Sequence, residues 1–258
     1  MKITRIAAAA SLLCLASSAV FAQAKAPEPD YTLGFNAALT TDYRYRGISQ
    51  SGKKPALSLG ADFTHKNGFY LGAWGSTVTW IKDSTSGPNT TKGPIEVDLY
   101  GGYKGEIAKD FAYDVGALQY WYVGNNLGKT SGFANANTLE FYGAVTYSVV
   151  TAKYSRSLTN LFGTVNSKSS DYLDLSANFD LGSGWSIVPH VGTQKIKNFT
   201  SYTDYSLTVN KDIDGLVLSA AVVATNWKSK QGSAYTLQGS GTKNLANNGL
   251  VLTIKRNF

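Results

Sequence analysis

Past residue 22 the 258-residue chain has no cysteine; its one Cys14 lies in an apolar run near the start. Disulfides, thiolate metal centres and cysteine nucleophiles are thereby excluded from residues 23–258. An exported form must be held by a hydrogen-bonded sheet, a core or a membrane instead. Histidine is almost as scarce, His65 and His190 being the only two, too few for a histidine-based metal cluster. Neither stands in a nucleophile-elbow context, which leaves a lipid-modifying barrel enzyme, with one of them as base beside a serine, as a remote reading. No catalytic residue, metal or cofactor is expected. Beyond the start, no apolar run approaches the ~20 residues of a membrane helix. A one-sided basic face is missing too. Lys+Arg exceed Asp+Glu by 24 to 17, but Lys53, Lys54, Lys82, Lys92, Lys129, Lys168, Lys228, Lys230 and Lys243 are scattered through loop-like segments. A nucleic-acid binder concentrates its bases on one face. Anionic lipid, lipopolysaccharide included, is the expected partner.

What is present begins with Lys2 and Arg5, an apolar run from Ile6 to Val20, and Val20-Phe21-Ala22. This is the layout of a secretory signal peptide, so residues 1–22 are expected to be cleaved, with Ala24 or Ala26 as alternative last residues. Residues 23–258 then form one all-β domain.

In that domain the recurring period is two. Leu33, Phe35, Ala37 and Leu39 alternate with small or polar residues, as do Leu57, Leu59, Ala61 and Phe63. Ile95, Val97 and Leu99 repeat the pattern, followed by Phe111, Tyr113 and Val115, then Leu139, Phe141 and Val145. Leu173, Leu175, Ala177 and Phe179, then Leu216, Leu218, Ala220 and Val222, and finally Leu250, Leu252 and Ile254 complete it. Such alternation marks strands with one apolar face. About twelve are expected, most near the 9–11 residues of a tilted membrane-crossing strand. Pro189, which cannot donate to a ladder, and a turn near Ser148 without glycine leave ten strands as an alternative.

Connections alternate as well. Short turns fall at 66–68, 105–110, around Ser148, at 182–184 and at 211–215. Longer polar segments lie at 45–54, 81–94, 124–136, 159–169, 196–201 and 228–248. Short on one side and long on the other is the plan of an outer-membrane barrel, with short periplasmic turns and long external loops. An open sheet in hydrocarbon would leave two edges of unpaired backbone groups, each costing several kcal/mol. The fold class expected is therefore a closed antiparallel transmembrane β-barrel in the outer membrane of a Gram-negative bacterium. Aromatics at strand ends, among them Tyr31, Trp121, Trp185 and Trp227, suit the headgroup level.

The most distinctive stretch is Leu39-Thr40-Thr41-Asp42-Tyr43-Arg44-Tyr45-Arg46-Gly47-Ile48-Ser49-Gln50-Ser51, followed by Pro55-Ala56. It resembles the signature of the TorF-type porins, a family of conserved hypothetical proteins of proteobacteria. Weaker echoes stand at 68–74, 97–103 and 114–116. The resemblance implies an outer-membrane barrel of porin type, with no substrate attached. Two roles for the basic residues stay open. Arg46 either pairs with Asp42 or docks a loop inward as an anchor; or Arg44 and Arg46 form a solute constriction, a guanidinium being a rigid donor fork.

Parity sends Asp62, Glu96, Asp98, Asp114, Glu140, Asp174 and Asp204 to the inner wall, against Lys104, Lys153 and Lys255. Charges avoid lipid, so they either line a narrow pore or pair up and plug it. Phe258, with Ile254, Leu252 and Leu250 before it, resembles the C-terminal signal read by the barrel-insertion machinery, although Arg256 interrupts the row. The function expected is passive diffusion of small hydrophilic solutes or ions. The alternative is a closed structural or adhesive barrel with ligand-binding loops.

Overall fold

The computed structural model describes residues 29–84, 91–227 and 244–258. The expected signal segment and most of the 228–248 loop lie outside the described residues. The alternating segments become twelve staves: β1 Tyr31–Thr40, β2 Ala56–His65, β3 Phe69–Thr77, β4 Ile95–Ala108, β5 Phe111–Tyr122 and β6 Thr138–Tyr147, then β7 Val150–Ser157, β8 Asp171–Ala177 continued by Phe179–Gly182, β9 Trp185–Lys195, β10 Tyr202–Ile213, β11 Leu216–Thr225 and β12 Gly249–Asn257. Each pairs antiparallel with the next, and β12 returns to β1 from Asn36↔Asn257 to Thr40↔Thr253. The sheet thus has no free edge, as a hydrocarbon solvent requires.

Both irregularities of the sequence find local solutions. Ser148 adopts the positive φ that glycine usually supplies, at 55°, and its N–H donates to Asp110 O at 2.8 Å. The 139–158 segment is therefore a two-stave hairpin. Pro189 sits in a central stave, opposite Leu207 of β10. Lacking an N–H, it interrupts the ladder on its other side: β8–β9 pairing stops at Ser176↔His190 and resumes at Phe179↔Ile187. Two other short turns use αL pairs, Ser183–Gly184 at φ 50° and 76° and Asp214–Gly215 at 51° and 84°, which match the twist of a two-residue hairpin.

The apolar rows point outward. Phe35, Leu59, Phe141, Leu173, Val222 and Leu250 are each more than half exposed, forming a belt that water would not tolerate and acyl chains would cover. The buried core lies elsewhere, at the long-loop end. Ile48, Trp80, Ile81, Leu127, Phe162, Ile196, Trp227 and Leu245 belong to one packed cluster. Each of the six long connections contributes to it. Since those connections spring from all around the rim, the cluster extends across the mouth.

Inside, tyrosines lie flat on the wall where the facing strand offers glycine. Tyr100 covers Gly72, Tyr70 covers Gly102 and Tyr142 covers Gly116, all directly cross-strand. A Cβ on Gly72 would run into the Tyr100 ring, whereas one on the inward Gly34 would meet nothing within 4 Å. Gly72→Ala is therefore expected to cost about 1–3 kcal/mol by overpacking. Gly34→Ala should be nearly neutral. Unfolding free energies in a defined bilayer check this, and equal effects at the two positions would contradict the packing.

Candidate functional site

Residues 41–55 leave β1 and turn into the barrel instead of out of it. Asp42, Arg46, Ile48, Ser49, Gln50 and Ser51 are all buried. At the centre is a small hairpin, Arg44–Tyr45 paired with Ile48–Ser49, whose tip Arg46–Gly47 has φ 46° and 77°, the geometry that favours glycine at the second position. The tip presses on the wall formed by β10 and β11. A Cβ on Gly47 would stand 2.6 Å from Thr225 Cγ2 and 2.7 Å from Asp204 Cβ, so no larger residue fits.

Asp42 and Arg46 take different partners in this segment. Asp42 takes Arg44, whose Nε donates to Asp42 Oδ2 at 2.8 Å, while Ser49 Oγ donates to Asp42 Oδ1 at 2.5 Å. Arg44 also ties the hairpin to the last loop, Nη1 donating to Asn247 O at 2.6 Å. Arg46 is thereby left to dock the loop inward. Its Nη1 and Nη2 donate to Glu140 Oε1 and Oε2 at 3.0 and 2.6 Å, and Nη1 also reaches Gln194 Oε1 at 2.6 Å. The guanidinium lies 4.1 Å from the Tyr172 ring centre and 4.8 Å from that of Tyr45. Burial works against its charge, but Glu140 and Tyr45 hold its pKa above the ordinary guanidinium value. Such a bidentate, stacked arrangement is one that lysine cannot reproduce. Tyr43 hydroxyl donates to Glu96 Oε1 at 2.8 Å. Burial, then the Glu96 and Asp98 carboxylates, push that hydroxyl well above the usual tyrosine range, so it remains a donor.

Below the hairpin a cavity of about 400 Å³ is lined by Arg46, Glu140, Lys153, Asp174, His190 and Asp204, with Tyr142 and Tyr172 on its walls. His190 Nε2 lies 2.6 Å from Asp174 Oδ2, and its Nδ1 is 3.7 Å from Asp204 Oδ1. Tyr172 hydroxyl donates to Asp204 at 3.1 Å. Lys153 stands 3.9 Å over the Tyr142 ring.

The structure thus gathers Arg44, Arg46, Glu140, Asp174 and Asp204 around one cavity. Glu96 and Asp98 are enclosed beside Tyr43 rather than lining open lumen, and Asp98 Oδ1 meets no donor among the described residues. Asp62 and Asp114 sit nearer the short-turn end, accepting from Tyr100 and Tyr70 hydroxyls at 2.5 Å each. Sequence reading missed Gln194 and the tyrosines. Their only signal was inward parity, as in Tyr172 beside Asp174. At the C-terminus, Leu250, Leu252 and Ile254 face outward, and Phe258 exchanges backbone hydrogen bonds with Phe35 at 2.8 and 3.2 Å.

The barrel resembles solved structures at low sequence identity. A KdgM porin in complex with disordered oligogalacturonate superposes with a TM-score of 0.51 at 8% identity, over 88% of this chain and 98% of that one. A NanC porin gives 0.52 at 10%, over 87% and 99%. These likenesses carry the fold. No curated protein matches the chain. The Gcw_chp model, described as a bacterial protein of unknown function, matches residues 23–258, and the chain belongs to that family.

Proposed function

We propose that the protein is a narrow porin-like channel of the outer membrane that passes small hydrophilic solutes or ions by diffusion, with the inward hairpin at 44–49 as its constriction. The observation that carries this reading is the inner wall itself: charged and hydroxyl-bearing side chains surround a polar cavity, while the outer wall is an apolar belt. Two similar folds are named porins, and residues 39–56 resemble TorF-type porins; both support it. Export by the 1–22 segment and insertion through the C-terminal Phe258 pattern complete the proposal. The cluster built from all six long connections favours a second reading, a barrel closed from outside that acts through its loops. Recording purified protein in a planar bilayer separates them, because a closed barrel shows no steady conductance steps.

An open channel is expected to prefer cations despite the basic overall charge. Loop lysines more than ~8–10 Å from the path are screened at ordinary salt, whereas lumenal charge is focused by low-dielectric walls. The bases carried in by the hairpin are matched, Arg44 by Asp42 and Arg46 by Glu140. Asp62 accepts from the Tyr100 hydroxyl and Asp114 from that of Tyr70, with Lys104 the inward base opposite Asp114. Reversal potentials across a salt gradient measure the preference, and Asp62→Asn with Asp114→Asn should weaken it. Anion selectivity indifferent to both substitutions would assign control to Arg44 and Arg46.

A further inference from the structure

Charge on the outward wall of a membrane barrel is penalised except near the interfaces. In the long-loop half, the outward rows end in apolar residues such as Leu39, Leu57, Ile95, Trp121, Leu139 and Leu250. Three adjacent staves break the pattern. The outward rows of β7, β8 and β9 end in Arg156, Asp171 and Lys195, and the register sets Asp171 opposite both bases. The other outward bases, Lys211 and Arg256, lie at the short-turn end, where they donate to Ser183 O at 2.6 Å and Asp214 O at 2.8 Å.

The external group is partly preorganised. Arg156 Nη1 donates to Asp171 Oδ1 at 2.9 Å and to the Tyr154 hydroxyl at 3.3 Å, and the Tyr154 hydroxyl itself bonds Asp171. Half of the Arg156 side chain stays exposed, at 49%. Exposed Lys195 has no carboxylate in ion-pair reach among the described residues. Two more exposed lysines continue the patch upward, Lys168 and Lys197, on loops tied together where Lys197 N donates to Ser170 Oγ at 3.0 Å and Asn198 Nδ2 to Asn166 O at 2.9 Å. One sector of the rim thus carries four bases and one carboxylate. Beside and below them, Phe141, Leu173 and Tyr205 present an apolar wall, Phe141 directly opposite Arg156.

We propose that this patch is a docking site for a phosphate group of the phosphorylated glycolipid in the outer leaflet, whose acyl chains lie against β6 to β10. The assignment rests on the reading of the chain as an outer-membrane barrel with its long loops outside. A guanidinium held at one edge by Asp171 still offers its remaining donors to a phosphate. Each base near an anionic surface contributes roughly fivefold in affinity. Apolar contact alone would not need four bases at one sector of the rim. A small anion alone would not use the apolar wall.

Native mass spectrometry of the detergent-purified full chain, titrated with lipopolysaccharide and with its enzymatically dephosphorylated form, tests the site. Wild type should retain the phosphorylated glycolipid at least tenfold more tightly than the dephosphorylated one. Arg156→Gln with Lys195→Gln should weaken the phosphorylated form by roughly 25-fold and leave the dephosphorylated form unchanged. Arg256→Gln, at the other end of the barrel, should alter neither. Equal binding of both glycolipids, or equal losses in the two variants, overturns the proposal. The patch lies outside the lumen, so absent conductance would count against the channel and leave this result readable.

Discussion

Leu59→Arg and Leu175→Arg are each expected to destabilise the barrel by ~2–4 kcal/mol, because both positions lie near the middle of a stave and face outward, where a cation meets hydrocarbon. Leu59 is 59% exposed and Leu175 47%, values that a water-soluble core would not show for leucine at the centre of a strand. Their sequence neighbours give the control. Ser58 and Ser176 point into the lumen, Ser176 beside His190 of β9, so Ser58→Arg and Ser176→Arg should cost less. Equilibrium unfolding in lipid bilayers reads the difference. Equal damage on both faces would mean two buried sides, as in a sandwich, and would contradict the barrel.

The face assignment behind this prediction was legible in the sequence for a physical reason. Hydrocarbon outside and water inside impose opposite demands on consecutive residues, so Leu57-Ser58-Leu59-Gly60 carries its orientation in its composition. Closure followed from the cost of edges, without knowledge of any contact. Other features depend on partners far apart in the chain. Nothing local marks Glu140 as the partner of Arg46 ninety-four residues earlier, nor Gln194 as the third member. The loop cluster was equally hidden, since Ile48, Trp80, Leu127, Phe162 and Leu245 follow no period and meet only when the barrel brings six connections to one rim. Pro189 was visible as an obstacle, but its solution, two unpaired positions in the β8–β9 ladder, depends on what lies opposite. The position of the inner carboxylates relative to the loops is hidden for the same reason. Glu96 and Asp98 alternate with outward residues but are buried beside Tyr43 of the first loop, so inward parity alone does not mean facing the path.

Arg46→Ala should produce the other large effect, in stability and in conductance together. The substitution removes the cation from a carboxylate whose side chain is only 3% exposed, opposite a guanidinium at 4%. A buried charge left without its partner costs about 3–5 kcal/mol. The chain can avoid that cost by letting water reach Glu140, which requires the hairpin tip to withdraw from Asp204, Thr225 and the β6 wall. Lost stability and an opened constriction are therefore two outcomes of one event, and a rise in single-channel conductance should accompany the fall in unfolding free energy. Arg46→Met with Glu140→Leu distinguishes the pair from the loop as a whole. Replacing both partners by apolar groups removes the unpaired charge, so stability should return to within about 1–2 kcal/mol of the starting protein, and the small conductance should return if packing then holds the tip. A single Arg46→Ala barrel as stable and as narrow as the original would show that the Arg44–Asp42 pair and the apolar cluster hold the loop without help from Glu140.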